Sequence, residues 1–421
     1  YLFAHNDGDG EFGPDSDADI IKCGSYTGNG SNQEIDLGFE SQWLLVKSSS
    51  ESRDWYIFDT MRGFKTYSGT DTNNLFLKPN ESNAESDFDG IALTSTGFSL
   101  HGASNAANNS GQTYIYMAIR RDTKIPESAT EVFDVDAGDG SSVPAWSSGF
   151  PVDMALERST ASDDMRNAAR LISGKFLVTN STDDESSNSA RVFDYMDGWL
   201  SISRSTSNYS WMWKRALNFF DVVAYEGNGT AGRTVSHNLG VAPEMMWVKK
   251  RTGTASGWLT YDSFNGATKY TRISATSAAS TSSAFWNDTE PTSSVFTLGT
   301  NAGVNGSGED YISYLFSSLD GISKVGSYTG NGTNQTIDCG FTAGARFVLI
   351  KRTDSTGDWH IWDTERGIVA GNDPYLELNT TNAEDTDEDS IDPDNSGFIV
   401  NETTGSNINT SGATYIFYAV A

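Results

Sequence analysis

The sequence has little cysteine, little proline and few cations. Its 421 residues include two Cys, nine Pro and 28 Lys+Arg. A small secreted fold stapled by disulfides carries many more cysteines, so that class is excluded. Cys23 and Cys339 instead read as free thiols in or near a core. Against the cations stand 56 Asp+Glu, a formal charge of −28 and a pI near 4.3. Nucleic-acid affinity comes largely from cations that displace counterions, so a chain this acidic excludes nucleic acid as a partner. An anionic membrane surface is disfavoured for the same reason. No apolar run approaches the roughly 18 residues of a spanning helix, so no membrane insertion is expected. Catalytic signatures are missing too. None of His5, His101, His237 and His360 sits in HExxH, and no Gly-x-Ser-x-Gly follows a strand.

Glycine is abundant at 41, and aromatics reach 12%, too many for a disordered acidic chain. Length alone suggests roughly three domains of about 150 residues. Internal repetition revises this to four. GSYTGNGSNQEIDLGF at 24–39 and GSYTGNGTNQTIDCGF at 326–341 agree at 13 of 16 positions. The register persists: DWYIFDTMRG at 54–63 matches DWHIWDTERG at 358–367, and SGQTYIYMAI at 110–119 matches SGATYIFYAV at 411–420. Two divergent copies fill the middle. The organisation is a stub with an acidic linker over 1–21, then modules over 22–120, 131–222, 223–320 and 324–421. Tyr1-Leu2-Phe3 echoes Tyr314-Leu315-Phe316, so the chain is expected to open inside the last strand of a preceding module.

The local patterns are β. QWLLVKSSS, DWYIFDTM, FVLIKR and TYIYMAIRR are short runs rich in β-branched and aromatic residues, punctuated by turn signals such as TGNG. The expected fold is all-β, a tandem array of antiparallel β-sandwich modules. In the run 414–421 both alternating faces are apolar, which predicts a central strand covered on both sides. Met165, Ala168, Ala169 and Ile172 recur at helical spacing behind Asp163 and Asp164, with Gly174 as a stop. This predicts one short helix near 160–172.

The ordered set of motifs, from GSYTGNG through DW-x-I-x-DT-x-RG to L-x-N-x-x-NAE and SG-x-TYI, resembles modules of marine bacteriophage proteins. Those are tail-fibre or other virion appendage proteins of cyanophages and related viruses. The resemblance spans essentially the whole chain. It implies lectin-like, jelly-roll-like sandwich units in tandem, a non-enzymatic structural role on the virion surface, other virion proteins as partners and a homo-oligomer, with a trimer favoured. It also implies contact with host surface polysaccharide. It carries over no catalytic residues. The alternative from the same fold is a carbohydrate-binding or adhesive array of a bacterial surface or secreted protein.

Candidate sites are few. Asp7, Asp9, Glu11, Asp15, Asp17 and Asp19 place alternate oxygens along one loop, the hard-ligand pattern that suits calcium. The glycine of an EF-hand is missing, and a solvated acidic linker is the competing reading. Asp134, Asp136 and Asp139, and the acids of 385–394, are weaker candidates of the same kind. Sugar binding calls for exposed aromatics beside amide side chains in loops. Trp286 and Asn287, in AFWND within a Ser/Thr-rich stretch, lead, followed by Trp146 and Trp211. Trp55 and Trp359 occupy equivalent strand positions and are expected to be buried. The carboxylates Asp59 and Asp363 precede Arg-Gly and read as turn caps paired with Arg62 and Arg366, not as a glycosidase pair.

Overall fold

A computed structural model of the chain describes residues 3, 5, 19–67, 73–104, 106–122, 124–202, 205–401 and 405–421. It is nearly all β, and its paired strands run antiparallel. Four modules share one plan, a large sheet facing a small one. In the fourth module the large sheet runs Ser323–Thr329, Thr414–Val420, Phe347–Arg352, Trp359–Asp363, Leu376–Glu377. In the first, the same order is Ile21–Thr27, Thr113–Arg120, Ser41–Ser48, Trp55–Asp59. The strand Phe220–Glu226 pairs along its whole length with Asp310–Phe316, so the boundary placed between residues 222 and 223 falls inside a strand of the third module.

The GNG motif shared by the first, third and fourth modules is explained by one buried asparagine in each. Asn409 accepts from the backbone N–H of Asn331 at 2.9 Å and donates to the carbonyls of Thr333 and Asn401, each at 2.7 Å. Asn108 and Asn305 do the same for the turns at Asn29 and Asn228. Each satisfies turn groups that the fold removes from water. The preceding glycine is needed for closeness: a Cβ on Gly330 would sit 2.3 Å from the carbonyl oxygen of Thr410.

The segment expected to be helical is a strand. Arg166–Ala169 pairs with Met154–Glu157, and only Arg170–Ile172 coils, into one 3-10 turn. Met165, Ala168, Ala169 and Ile172 are all buried because this strand and the residues flanking it are covered on both faces, which erases the alternation that marks a half-exposed strand. The short helices lie instead at Ser283–Trp286 and Ala302–Asn305.

The modules are not beads on a string. The second, third and fourth close a ring through one interface used three times. Between the third and fourth, Lys351 Nζ and the Gly357 N–H both donate to the Thr276 carbonyl, each at 2.9 Å. The Trp359 Nε1–H donates to Arg272 and the Ala279 N–H to Thr353. Between the second and third, the same places are taken by Lys249 and the Ser256 N–H on Thr182, Trp258 on Val178, and Glu185 on Arg251. The fourth returns to the second, with Glu384 N–H on Thr160 and Arg158 on the carbonyls of Glu377 and Asn382. At the centre Phe133, Trp213, Phe220, Phe316, Phe347 and Tyr418 pack ring against ring. The strand Thr414–Val420 is accordingly buried along its length save Thr414. The first module docks on the outside of this ring.

Candidate functional site

The tryptophans chosen as ligand platforms are core residues. Trp286 is 1% exposed, and Trp146 and Trp211 are fully buried. Trp286 closes the short helix that Ser282 caps, and its ring meets Tyr261 edge-on. The polar flanks that suggest a loop are the helix cap and its exit: Asn287 adopts the left-handed conformation (φ 55°) that ends the helix. Trp146 pairs with Trp199 inside the second sandwich. Trp211 lies at the ring centre, with its Nε1–H donated to Asp363 at 2.9 Å. Trp359 is buried as expected, but Trp55 is 37% exposed.

Of the acidic loop proposed for calcium, Asp7, Asp9, Glu11, Asp15 and Asp17 lie outside the described residues, and Asp19 is half-buried just before the first strand. The weaker candidates have structural partners. Asp134 pairs with Arg346 at 2.5 Å, Asp136 accepts from the Ser147 N–H, and Asp139 caps the turn at Ser141 and Ser142. Asp59 and Asp363 each accept from the backbone N–H three residues on, and bind the guanidinium of Arg62 and Arg366.

Buried ion pairs lie inside modules, as with Glu157 and Arg191, and also where modules meet. Arg215 donates to both oxygens of Glu40, at 2.7 and 2.8 Å, across the junction with the first module. Its Nε lies 3.3 Å from Asp153, which also faces Arg170 at 3.3 Å. Burial alone would push the Asp153 carboxyl up, but the guanidinium groups of Arg215, Arg170 and Arg121 outweigh it and hold it below the usual carboxylate range. Arg251 binds Glu185 at 2.7 Å in the same manner between the second and third modules.

A cleft of about 410 Å³ lies between the first and third modules. Tyr67 and His101 line it from one side, their rings stacked with centroids 3.6 Å apart. Arg233, Glu226 and Asp310 line it from the other. Arg233 donates to the Glu226 carbonyl and lies over the Tyr225 ring at 5.6 Å. Burial pushes Asp310 up to about 6, with Glu226 and Glu185 adding to the rise and Arg251 opposing it. Burial also pushes His101 down to about 4, which keeps its ring neutral. The guanidinium and carboxyls offer the contacts that hold sugar hydroxyls, and the aromatic pair beside them offers an apolar surface. Sequence reading missed this set because its members come from two modules that meet only after folding.

One cluster has the donor types for a metal. Asp358, His360 and Glu377 bring ligand atoms within 4.8 Å of one another. Burial pushes His360 down to about 4, so at neutral pH the ring is uncharged and one of its two nitrogens carries no proton. The carboxylates already have partners, however. Asn379 donates to Asp358 at 2.6 Å, while Thr380 and Asn382 donate to Glu377. In the first and second copies a cation fills this place: Lys78 binds Asp54 at 2.8 Å, and Arg166, at the position of His360, binds Asp163 at 2.9 Å.

Residues 19–122 and 216–421 match a domain family of unknown function, DUF7483. The chain belongs to that family. The stretch between the two matches holds the second module, the most divergent copy in sequence. No curated protein matches the chain.

Proposed function

We propose that this chain is a non-enzymatic structural protein of a virion appendage, a tail fibre or surface protein of a marine phage. The observation that carries this reading is where the buried charge goes. Glu40–Arg215 and Glu185–Arg251 form closed ion pairs across the joints between modules, where each charge is spent on fixing geometry. The motif set that resembles phage appendage modules supports it, as does the acidity that keeps such surfaces apart. The test is location. Immunogold labelling of virions with an antibody to this chain should decorate a tail or surface projection; absence of the chain from purified particles would overturn the reading.

A second reading, a carbohydrate-binding array, is favoured by the cleft with its Tyr67–His101 stack. A polysaccharide array probed with the whole chain should then show binding that Tyr67→Ala and Arg233→Ala each weaken about tenfold, the ~1–1.5 kcal/mol of one stacking or charged contact.

A further inference from the structure

The first module presents to solvent the sheet face that the other three bury. Along Ser41–Ser48 burial alternates, with Leu44 and Val46 fully inside the sandwich and Trp43, Leu45 and Lys47 only half-covered. The corresponding strand of the third module, Met245–Lys250, is buried on both faces. Trp55 and Ile115 are 37% and 39% exposed, whereas their counterparts Trp359 and Ile416 are 0% and 2%. Met117 is half-buried; its counterparts Tyr314 and Tyr418 are fully buried. An apolar face of this extent on a chain of charge −28 is out of keeping with its surroundings.

Both halves of the ring interface are displayed there. Lys47, in register with Lys249 and Lys351, turns back on the carbonyls of Ser48 and Glu51 instead of reaching a neighbouring module. The segment that would serve the next module, residues 79–87, is exposed throughout. Its geometry is already set. Asn80 accepts from the Trp55 N–H at 2.9 Å and donates to Asp54, as Asn379 does for Trp359 and Asp358.

We propose that the first modules of three copies of this chain close a second ring through this face, by the interface that joins the second, third and fourth modules within each chain. A head-to-tail contact whose rotation closes after three members generates a ring and not a filament. The internal ring shows that this contact closes after three. Trp55 of each copy then donates its indole N–H to the carbonyl of Lys78 in the next, as Trp359 does to Arg272. Lys47 reaches the carbonyls beyond it.

Sedimentation equilibrium of the whole chain at micromolar concentration should give three times the 45.6 kDa protomer. A monomer or a dimer would overturn the proposal. That includes the case in which the face is covered by another protein or by a further module of a longer polypeptide, because this chain would then be monomeric alone. Ile115→Asp should dissociate the trimer with an unchanged far-UV spectrum, while Val143→Asp, on an exposed apolar residue of the second module, should leave it intact. A crosslink guards against a variant that merely unfolds. The Ala279 N–H to Thr353 and Glu384 N–H to Thr160 contacts place Glu85 of one copy beside Ser49 of the next. The double variant Ser49→Cys, Glu85→Cys should therefore oxidise to a covalent trimer that neither single variant forms. Failure of the double variant to crosslink would also count against the ring.

Discussion

The carboxylate of Glu40, just ahead of a first-module strand, grips the guanidinium of Arg215 at the end of the second module through two hydrogen bonds, with both side chains buried. The pair spans 175 residues of sequence and holds the outer module to the ring. Removing one partner leaves the other charged and desolvated. Glu40→Ala should cost about 3–5 kcal/mol in denaturant unfolding. The double variant Glu40→Ala, Arg215→Met should cost less than the sum of the two singles. Additive losses would mean that the two charges are not coupled.

Asp373 makes stability fall as pH rises. Its side chain is fully buried, and burial pushes its carboxyl up to about 7, although the N–H groups of Val369 and Ile391 donate to it and Asp389 and Asp392 add to the rise. The folded state therefore holds a proton that the unfolded chain releases near the ordinary 3.8. The stabilisation is complete below that value and is lost as pH climbs through 7. The thermal midpoint should drop between pH 5 and pH 8, and Asp373→Asn, which cannot ionise, should flatten the slope. An equal slope in the variant would assign the effect to other groups.

Trp359 seals the joint between the third and fourth modules. It is fully buried and donates to the Arg272 carbonyl at 2.8 Å. Trp359→Ala should cost about 3–5 kcal/mol, the range for deleting a large buried aromatic. Calorimetry that shows a loss below about 1 kcal/mol would contradict its burial.

Asn409 should be as sensitive as a core aromatic. Its amide satisfies the N–H of Asn331 and the carbonyls of Thr333 and Asn401. Asn409→Ala strands these groups, at about 1–3 kcal/mol for each one left unpaired in the interior. Amide exchange at Asn331 should accelerate in the variant. Unchanged protection there would show that another group holds the turn.

Much of the fold was legible in the residues themselves. The repeat placed the modules, and alternating apolar runs marked Thr414–Val420 as a strand covered on both sides. Asp59 and Asp363 were legible as turn caps because an acid three residues before Arg is a local pattern, satisfied by the backbone N–H of that Arg. Arg166–Ala169 was misread because a strand buried on both faces loses the period-two signal and can mimic helical spacing. Trp286 was misread because a capped four-residue helix and a polar loop share the same Ser, Thr and Asn.

The sequence by itself determined the module: which side chains share a sheet face, where the Asn-anchored turns fall, and which residues occupy equivalent places in each copy. These follow from local geometry, since side-chain direction is set by position along the strand. Only the tertiary structure decided which faces meet. Trp55 and Trp359 sit in closely similar runs, DWYIFDT and DWHIWDT, yet Trp359 is covered and Trp55 is not, because the covering carbonyl belongs to a strand of another module. Burial depends on that partner segment, and no periodicity within a single copy encodes whether a neighbour is there.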